Sequence, residues 1–283
     1  MKTRYIIITL FLFAFILNSC DKVSPPFVEG RDYCNGNKKV LLEDYTGHGC
    51  NNCPEAAVIA HELKDFFCER VVIISVHAGY FAQPYLNGDS LLSEDFNTEA
   101  GTAWDDYFGV SAMGNPNGLV DRVKGPSGYV FSKDSWVKVI DTLLLNNAKA
   151  MVTINNEFNT DTKILTTSIQ TKFTEDVSGN YKLIVCITQD GIVAPQLNKN
   201  EEIGPTPMDV NYVHNHVLRK AINGSWGENL SSSGTVSANT SYDKTYTQEF
   251  ADDWVPKDCH IVAFVYNEDT KTVLQVEELA VLE

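Results

Sequence analysis

The sequence predicts an α/β layered domain followed by an all-β antiparallel sandwich. Between residues 34 and 149, apolar runs typical of buried strands alternate with segments whose apolar residues recur every three or four positions, as in helices. From residue 150 onward the helical period stops, and short alternating apolar and polar runs follow, separated by polar turns. These two patterns set the predicted domains at residues 34–149 and 150–283.

Three strands and three helices are expected in the first domain. The strands are KVLLEDYT, RVVIISVH and NGLVDR, and the helices are CPEAAVIAHELKDFFC, TEAGTAWDDYFG and SKDSWVKVIDTLLLNN. Pro54 suits the first turn of the first helix, where a missing N–H is not needed. Gly109 marks the end of the second helix, and Ser132 is a good N-cap for the third.

The second domain is predicted to be an immunoglobulin-like sandwich. YKLIVCIT follows the turn residues Ser178-Gly179-Asn180 and places alternate apolar side chains on one face, and the later strands are CHIVAFVYN and TVLQVEELAVL. The segment DGIVAPQLNKNEEIGPTPMDV contains three prolines and is expected to form a long surface loop.

The first 19 residues have the pattern of a secretory signal peptide. Lys2 and Arg4 precede an apolar run from Tyr5 to Leu17, which is too short to span a bilayer. The run ends in LNSC, which resembles the lipobox of bacterial lipoproteins. That resemblance implies cleavage before Cys20, lipid on its sulfur and a tether over residues 20–33. The alternative is an ordinary signal peptide in which Cys20 has no role.

Charge argues against one class of partner. The formal net charge is −15, and the acidic residues are dispersed along the chain. Nucleic acid is therefore not expected as a partner, because its phosphates require clustered Lys and Arg. Dispersed carboxylates are typical of a solvated surface.

The segment TGHGCNNCPEA contains Cys50 and Cys53 with two residues between them. Such a pair can be a redox dithiol, half of a zinc site or a structural staple. A zinc ribbon needs a second pair of cysteines or histidines at suitable spacing, and the sequence has no second C-x-x-C. An exported protein also meets oxidising conditions. We therefore expect neither a metal nor another cofactor.

The position of the pair suggests thiol chemistry. Cys50 ends the strand-to-helix turn, and the partial positive charge of a helix N-terminus favours a thiolate. Cys50 is thus the expected exposed nucleophile, and Cys53 the resolving thiol. Asp44, six residues before Cys50, could accept the proton of Cys53 if it is buried. Strand alternation equally allows Asp44 to face solvent.

The segment VLLEDYTGHGCNNCP resembles the active-site segment of thioredoxin-fold proteins, including the acid six residues before the first cysteine. The resemblance implies a cis proline that faces the dithiol from the start of a later strand, and FGVSAMGNPNGLVDR supplies it as Pro116. The sequence departs from the pattern of active thioredoxins at Gly49 (usually Trp), at Asn51-Asn52 (usually Gly-Pro) and at Asn115, where a β-branched residue is usual.

A wider resemblance covers almost the whole chain after residue 19. It is carried by LLEDYTGHGCNNCPEA, SVHAGYFA, GNPNGLVDR, YVHNHVLRKAINGSWGE and VLQVEELAVLE. Together these segments resemble the "outer membrane protein twenty-eight"-related family of Gram-negative lipoproteins. The resemblance implies an outer-membrane location and a thioredoxin-like domain followed by a β-sandwich. It leaves open whether the protein is an enzyme or a binding module.

The remaining cysteines give further expectations. Cys34 precedes the first strand and Cys68 ends the first helix, so both fall at the end of the strand-turn-helix unit opposite the cysteine pair. A Cys34–Cys68 disulfide is predicted, with two free thiols as the alternative. Cys186 and Cys259, on sandwich strands, either bridge or serve as small buried apolar residues.

Histidines and aromatic residues near the predicted site have two interpretations each. His48 and His77 could favour a Cys50 thiolate or simply belong to turns. His214 and His216 lie two residues apart and could hold a metal, but no third ligand is apparent. The aromatic-rich segment YFAQPYLNGDS should lie near the dithiol, where it contacts a partner or packs on its own domain.

Two functional hypotheses follow. In the first, the protein exchanges disulfides with exported or envelope proteins: Cys50 attacks, Cys53 resolves, Asp44 assists and Pro116 presents the partner's backbone. In the second, the protein is a surface binding or adhesion lipoprotein, and Cys50–Cys53 is a structural disulfide. In both, the membrane is contacted only through the lipid anchor.

Overall fold

The computed structural model describes residues 32–230 and 234–282. The predicted signal peptide, the lipidation site Cys20 and nearly all of the predicted tether lie outside the described residues. Within them the α-helices are α1 (Cys53–Phe66), α2 (Glu99–Phe108) and α3 (Lys133–Leu144).

Strands dominate the described residues. They are β1 (Val40–Thr46), β2 (Val71–His77), β3 (Asn117–Val120), β4 (Val130–Ser132), β5 (Ala150–Asn159), β6 (Ile164–Phe173), β7 (Val177–Ser178), β8 (Tyr181–Gln189), β9 (Ile192–Val193), β10 (Gln196–Leu197), β11 (Met208–Asp209), β12 (Val213–His214), β13 (Val217–Ala221), β14 (Glu228–Asn229), β15 (Thr235–Val236), β16 (Ser241–Glu249), β17 (Cys259–Asn267) and β18 (Val273–Ala280).

One nine-stranded mixed sheet organises the fold. Its order is β18-β17-β8-β13-β2-β1-β3-β4, and β14 also pairs with β8. β2 is parallel to both of its neighbours, β1 and β13, whereas the other neighbours pair antiparallel. A separate antiparallel sheet has the order β16-β6-β5, and three two-stranded pairs, β7–β15, β9–β12 and β10–β11, complete the strands.

Both faces of the large sheet are covered, which gives three layers. On one face α2 packs through Trp104 and Phe108 against apolar residues that include Ile74 and Phe264. On the other face α1 and α3 cover β1 and β2, and the three-stranded sheet covers β8 and β17. Burial on both faces explains why β2 and β17 are continuous apolar runs rather than alternating ones. Full burial of one large side chain such as Trp104 contributes about 2–3 kcal/mol.

The predicted boundary at residues 149 and 150 falls inside one structural unit, Tyr33–Glu283. The change from helices to strands does begin there, because β5 starts at Ala150. However, β8, β13, β17 and β18 extend the sheet formed by β1–β4. The residues after 150 therefore form two packed layers, of which one is continuous with the first half of the chain.

Two helix ends illustrate how local sequence sets the elements. Thr98 caps α2, since its side-chain oxygen accepts a hydrogen bond from the Gly101 N–H at 3.0 Å, and Gly109 ends the helix with a φ of 67°. Ser132 occupies the predicted N-cap position of α3, but its hydroxyl lies 3.3 Å from the Ser135 hydroxyl and does not cap the backbone.

Candidate functional site

The cysteine turn, residues 47–52, joins β1 to α1. Cys50 and Cys53 form a disulfide, and Cys53 is the first residue of α1. The turn is closed by hydrogen bonds from the Cys50 N–H to the Gly47 carbonyl at 2.9 Å and from the Cys53 N–H to the Cys50 carbonyl at 3.2 Å. The strand-to-helix position predicted for the pair is thus present.

Both sulfur-bearing residues are buried: Cys50 and Cys53 are each 2% exposed. The sequence led us to expect an exposed Cys50, and that expectation is wrong for this structure. Two segments that lie far from the cysteines in the sequence cover the turn.

The aromatic loop, residues 80–90, is the first of these segments. The Gly49 N–H donates to the Phe81 carbonyl at 2.9 Å, and His48 Nε2 lies 2.9 Å from the Gln83 carbonyl. A Cβ on Gly47 would lie 2.4 Å from Phe81 backbone atoms, and one on Gly49 would lie 2.1 Å from Leu86 Cδ2. Gly47 therefore allows the close approach of the Phe81 backbone, whereas the nearest neighbour of Gly49 is the end of the Leu86 side chain.

The second segment that covers the cysteine turn is residues 196–199, here called the covering segment. Its backbone pairs with the cysteine turn through the Leu197 N–H to the His48 carbonyl at 2.8 Å and the Lys199 N–H to the Asn51 carbonyl at 3.1 Å. The buried Gln196 side chain donates from Nε2 to the Cys50 carbonyl at 2.9 Å and to the Gly47 carbonyl at 3.3 Å. The region predicted to be a long surface loop thus contributes buried contacts to the turn.

A cavity of about 380 Å³, here called the Cys53 cavity, opens beside the turn. Cys53 and Asp44 both line it, and Cys50 does not. Asp44 is buried, and its Oδ1 makes no hydrogen bond to any described residue. Burial raises the pKa of the Asp44 carboxyl to about 7. Of the two orientations that strand alternation allowed for Asp44, the buried one is observed.

Histidines line the same cavity. His77 ends β2, and neither of its ring nitrogens has a hydrogen-bond partner among the described residues. Its ring lies 5.7 Å from that of His214, and both rings flank Phe96. Burial lowers the pKa of His77 well below its usual value and the pKa of His214 to about 4. Both imidazoles are therefore neutral at pH 7.

His214 and His216, for which the sequence showed no third metal ligand, are both buried or nearly so. His214 and His216 lie beside the Cys53 cavity. Within residues 32–230 and 234–282, no three His, Cys, Asp or Glu side chains are grouped so that they could hold a metal ion.

Pro116 follows a cis peptide bond with Asn115 and directly precedes β3. Because β3 pairs with β1, the residue after the proline, Asn117, lies opposite Tyr45 at the end of β1 that leads into the cysteine turn. The Asn115 side-chain amide donates to the Thr46 carbonyl at 3.3 Å. The proline loop and the turn therefore share one end of the sheet.

The other cysteines within the described residues are one disulfide-bonded pair and two free thiols. Cys34 and Cys68 form a disulfide. Cys186 and Cys259 are free and buried, and they belong to apolar clusters on opposite faces of the large sheet, so they serve as small apolar residues. Burial raises the pKa of the Cys186 thiol and raises that of Cys259 to about 12.

Sequence reasoning missed several residues of the site. Gln196 lies 143 positions after Cys53 in a segment without helical or strand periodicity, and Tyr212, which lines the cavity, is in the same region. The paired glycines around His48 were the one local signal, because small residues on both sides of a turn indicate close approach of another segment.

The fold resembles those of two solved bacterial proteins. One is "HBP35 of Porphyromonas gingivalis", with a TM-score of 0.63 and 17% identity over 87% of this chain and 76% of that chain. Another is protein AGR_C_4864 from Agrobacterium tumefaciens, with a TM-score of 0.54 and 12% identity over 88% of this chain and 97% of that one.

The family model described as "Outer membrane protein Omp28" matches residues 101–283, and the chain belongs to that family. A domain of the outer membrane lipoprotein Omp28 from Porphyromonas gingivalis is 24% identical over 47% of this chain and 88% of that chain, with a TM-score of 0.32. No curated protein sequence matches the chain significantly. In the described parts of the chain, no helix has the length and apolar character needed to cross a bilayer.

Proposed function

We propose that this member of the Omp28 family is an outer-membrane lipoprotein whose thioredoxin-like half exchanges disulfides with exported or envelope proteins. Cys50 and Cys53 are the proposed reacting pair, Asp44 the proton acceptor and Pro116 the residue that presents the partner's backbone. The second half is proposed to follow an immunoglobulin-like arrangement. A lipid on Cys20 is the proposed membrane anchor, supported by the apolar run and by LNSC.

The observation that carries this proposal is the buried carboxyl of Asp44 in the cavity that Cys53 also lines. A buried carboxyl group whose Oδ1 makes no hydrogen bond to any described residue reduces the stability of the fold once it ionises. A disulfide that only staples the chain has no use for such a group. Disulfide exchange does use such a group. A carboxyl whose burial raises its pKa to about 7 can take a proton from a thiol and return it near neutral pH.

The exchange has two steps. In the reduced protein the Cys50 thiolate attacks a disulfide of the partner, and one partner sulfur leaves as a thiolate. Asp44 then takes the proton of the Cys53 thiol, and the resulting thiolate attacks Cys50 Sγ. The mixed disulfide breaks, the partner leaves with both of its cysteines reduced, and Cys50–Cys53 is restored.

One observation favours a second candidate, a binding lipoprotein in which Cys50–Cys53 is structural. Both cysteines are 2% exposed, and the covering segment is hydrogen-bonded directly over their turn. A partner strand can reach Cys50 only after residues 196–199 move away. A disulfide that stays covered would stabilise the turn without taking part in exchange.

Replacing the resolving thiol tests the proposal. A Cys53→Ala variant produced in the native envelope should accumulate disulfide-linked partners, since the mixed disulfide can no longer be released. The matched control is Cys50→Ala with Cys53→Ala, which lacks both sulfurs and should trap nothing. A Cys50–Cys53 reduction potential between about −120 and −270 mV supports exchange, and one below about −300 mV supports the structural disulfide.

A further inference from the structure

We propose that low-molecular-weight thiols and disulfides reach this disulfide through the Cys53 cavity and react at Cys53, whereas Cys50 is reserved for polypeptide partners. The inference rests on the proposed exchange function and adds a second class of reactant. Both cysteines are 2% exposed, but only Cys53 lines the cavity, whereas the sequence indicated Cys50 as the accessible sulfur.

Access to Cys50 is closed on two sides. The aromatic loop lies within van der Waals distance of Gly47 and Gly49, and the covering segment is hydrogen-bonded to the carbonyls of His48 and Asn51. The Gln196 amide is bonded to the carbonyl of Cys50 itself. A reactant that approaches Cys50 has to displace one of these segments.

Cys53 lines the cavity, whereas Cys50 does not. The cavity of about 380 Å³ is bounded by Cys53, by the small side chains of Ala57 and Ala60 on α1 and by Ser75 on β2. Ala57 lies four residues after Cys53, therefore on the same face of the helix, and it lines the same cavity. A volume of this size admits a small thiol and excludes a folded protein.

The cavity also carries polar groups without partners. Asp44 Oδ1, both ring nitrogens of His77 and His214 Nε2 make no hydrogen bonds within the described structure. Buried polar atoms are normally satisfied, so a cavity lined by several unsatisfied ones is suited to a polar occupant. Small thiols that bear hydroxyl, amine or carboxylate groups meet this requirement.

Two small thiols supply the two electrons that reduce the Cys50–Cys53 disulfide. The first, as a thiolate, attacks Cys53 Sγ, the bond between the two cysteines breaks, and Cys50 leaves as a thiolate that takes up a proton. The second thiolate attacks the small-molecule sulfur of the mixed disulfide and releases a small disulfide together with Cys53. Two electrons pass from the two thiols to the protein disulfide.

The first test measures how fast 2-mercaptoethanol reduces Cys50–Cys53 in the full chain. Ala57→Phe fills the cavity next to Cys53 and should slow reduction by about tenfold or more. Val58→Phe adds the same ring at the next position, where the side chain is exposed, and should change the rate by less than about twofold. If Ala57→Phe does not fold, Ala57→Val gives the same comparison against Val58→Phe. An unchanged rate in a folded Ala57 variant overturns the proposal.

The second test locates the reacting sulfur. With Cys50→Ser, the Cys53 thiol should react with hydroxyethyl disulfide about tenfold faster than the Cys50 thiol does in Cys53→Ser. Equal rates, or a faster Cys50, overturn the assignment of Cys53. A reduction potential below about −300 mV would remove the exchange function, while a strong Ala57→Phe effect would still establish the access route. The two failures are thus distinguishable.

Discussion

Arg122 donates from Nε and Nη2 to the two carboxylate oxygens of Glu43 at 2.8 and 2.6 Å, in an ion pair whose side chains are both 0% exposed. The guanidinium also lies 4.8 Å from the centroid of the Trp104 ring and 5.1 Å from that of Phe264. Glu43 and Asp44 are consecutive residues of β1 and point to opposite faces. The ion pair therefore fixes the strand from one side, while Asp44 faces the cavity on the other.

Breaking this pair should be costly. Glu43→Gln leaves the Arg122 charge buried without its counterion, and we expect the free energy of unfolding to fall by about 3–5 kcal/mol. Urea denaturation followed by circular dichroism measures the loss. Combining Glu43→Gln with Arg122→Met removes both charges and should recover part of it. A loss below about 1 kcal/mol for Glu43→Gln would show that the pair is not a main support of the strand.

Asp44 should make stability depend on pH. Burial raises its pKa from an ordinary value of 3.8 to about 7 in the folded protein. Between these values the folded state holds a proton that the unfolded state has lost, so stability falls as pH rises from about 4 to 7. Each pH unit corresponds to about 1.4 kcal/mol, which gives a total of roughly 3–5 kcal/mol.

The isosteric variant Asp44→Asn should abolish this dependence. We expect it to be more stable than the parent protein by roughly 3–5 kcal/mol at pH 8 and nearly equal at pH 4, as measured by urea denaturation at both pH values. Asp106→Asn, at an exposed position of α2, is the matched control and should leave the pH dependence unchanged. Equal pH dependence in Asp44→Asn and the parent would show that Asp44 is ionised in the folded state without penalty.

Local patterns predicted the elements but not the cover over the cysteines. The helical period and Pro54 located α1, and the continuous apolar run located β2, because these signals depend on neighbouring residues. The burial of Cys50 depends on Gln196, and no local pattern connects residues so far apart. The same limit applies to the large sheet, since the pairing of β13 with β2 at Val217 and Ser75 is a long-range contact.

The Cys34–Cys68 disulfide should stabilise the fold independently of the cysteine turn. The two residues are separated by 34 positions, and closing such a loop contributes about 3–4 kcal/mol in the chain-entropy model. Cys34→Ser combined with Cys68→Ser should lower the free energy of unfolding by that amount. Mass spectrometry after alkylation should still find Cys50–Cys53 oxidised. A change below about 1 kcal/mol would indicate that the reduced unfolded chain is already constrained.

Gln196 should control access to Cys50 by polypeptides. Gln196→Met keeps the length of the side chain but loses the hydrogen bonds to the Gly47 and Cys50 carbonyls. Each such bond contributes about 1 kcal/mol, so the population in which the covering segment has moved away should rise about tenfold to thirtyfold. The rate at which a protein dithiol reduces Cys50–Cys53 should rise by the same factor.

The control for this variant is Gln170→Met, on the exposed face of β6, which should leave the rate unchanged. The rate with 2-mercaptoethanol should rise less than the rate with the protein dithiol in Gln196→Met, because small thiols enter the Cys53 cavity, which Gln196 also lines, without displacing the whole segment. If instead both reductants accelerate equally, the two sulfurs share one route of access, and the division between Cys50 and Cys53 is wrong. If neither accelerates, the covering segment does not limit access, and the aromatic loop becomes the barrier to test next.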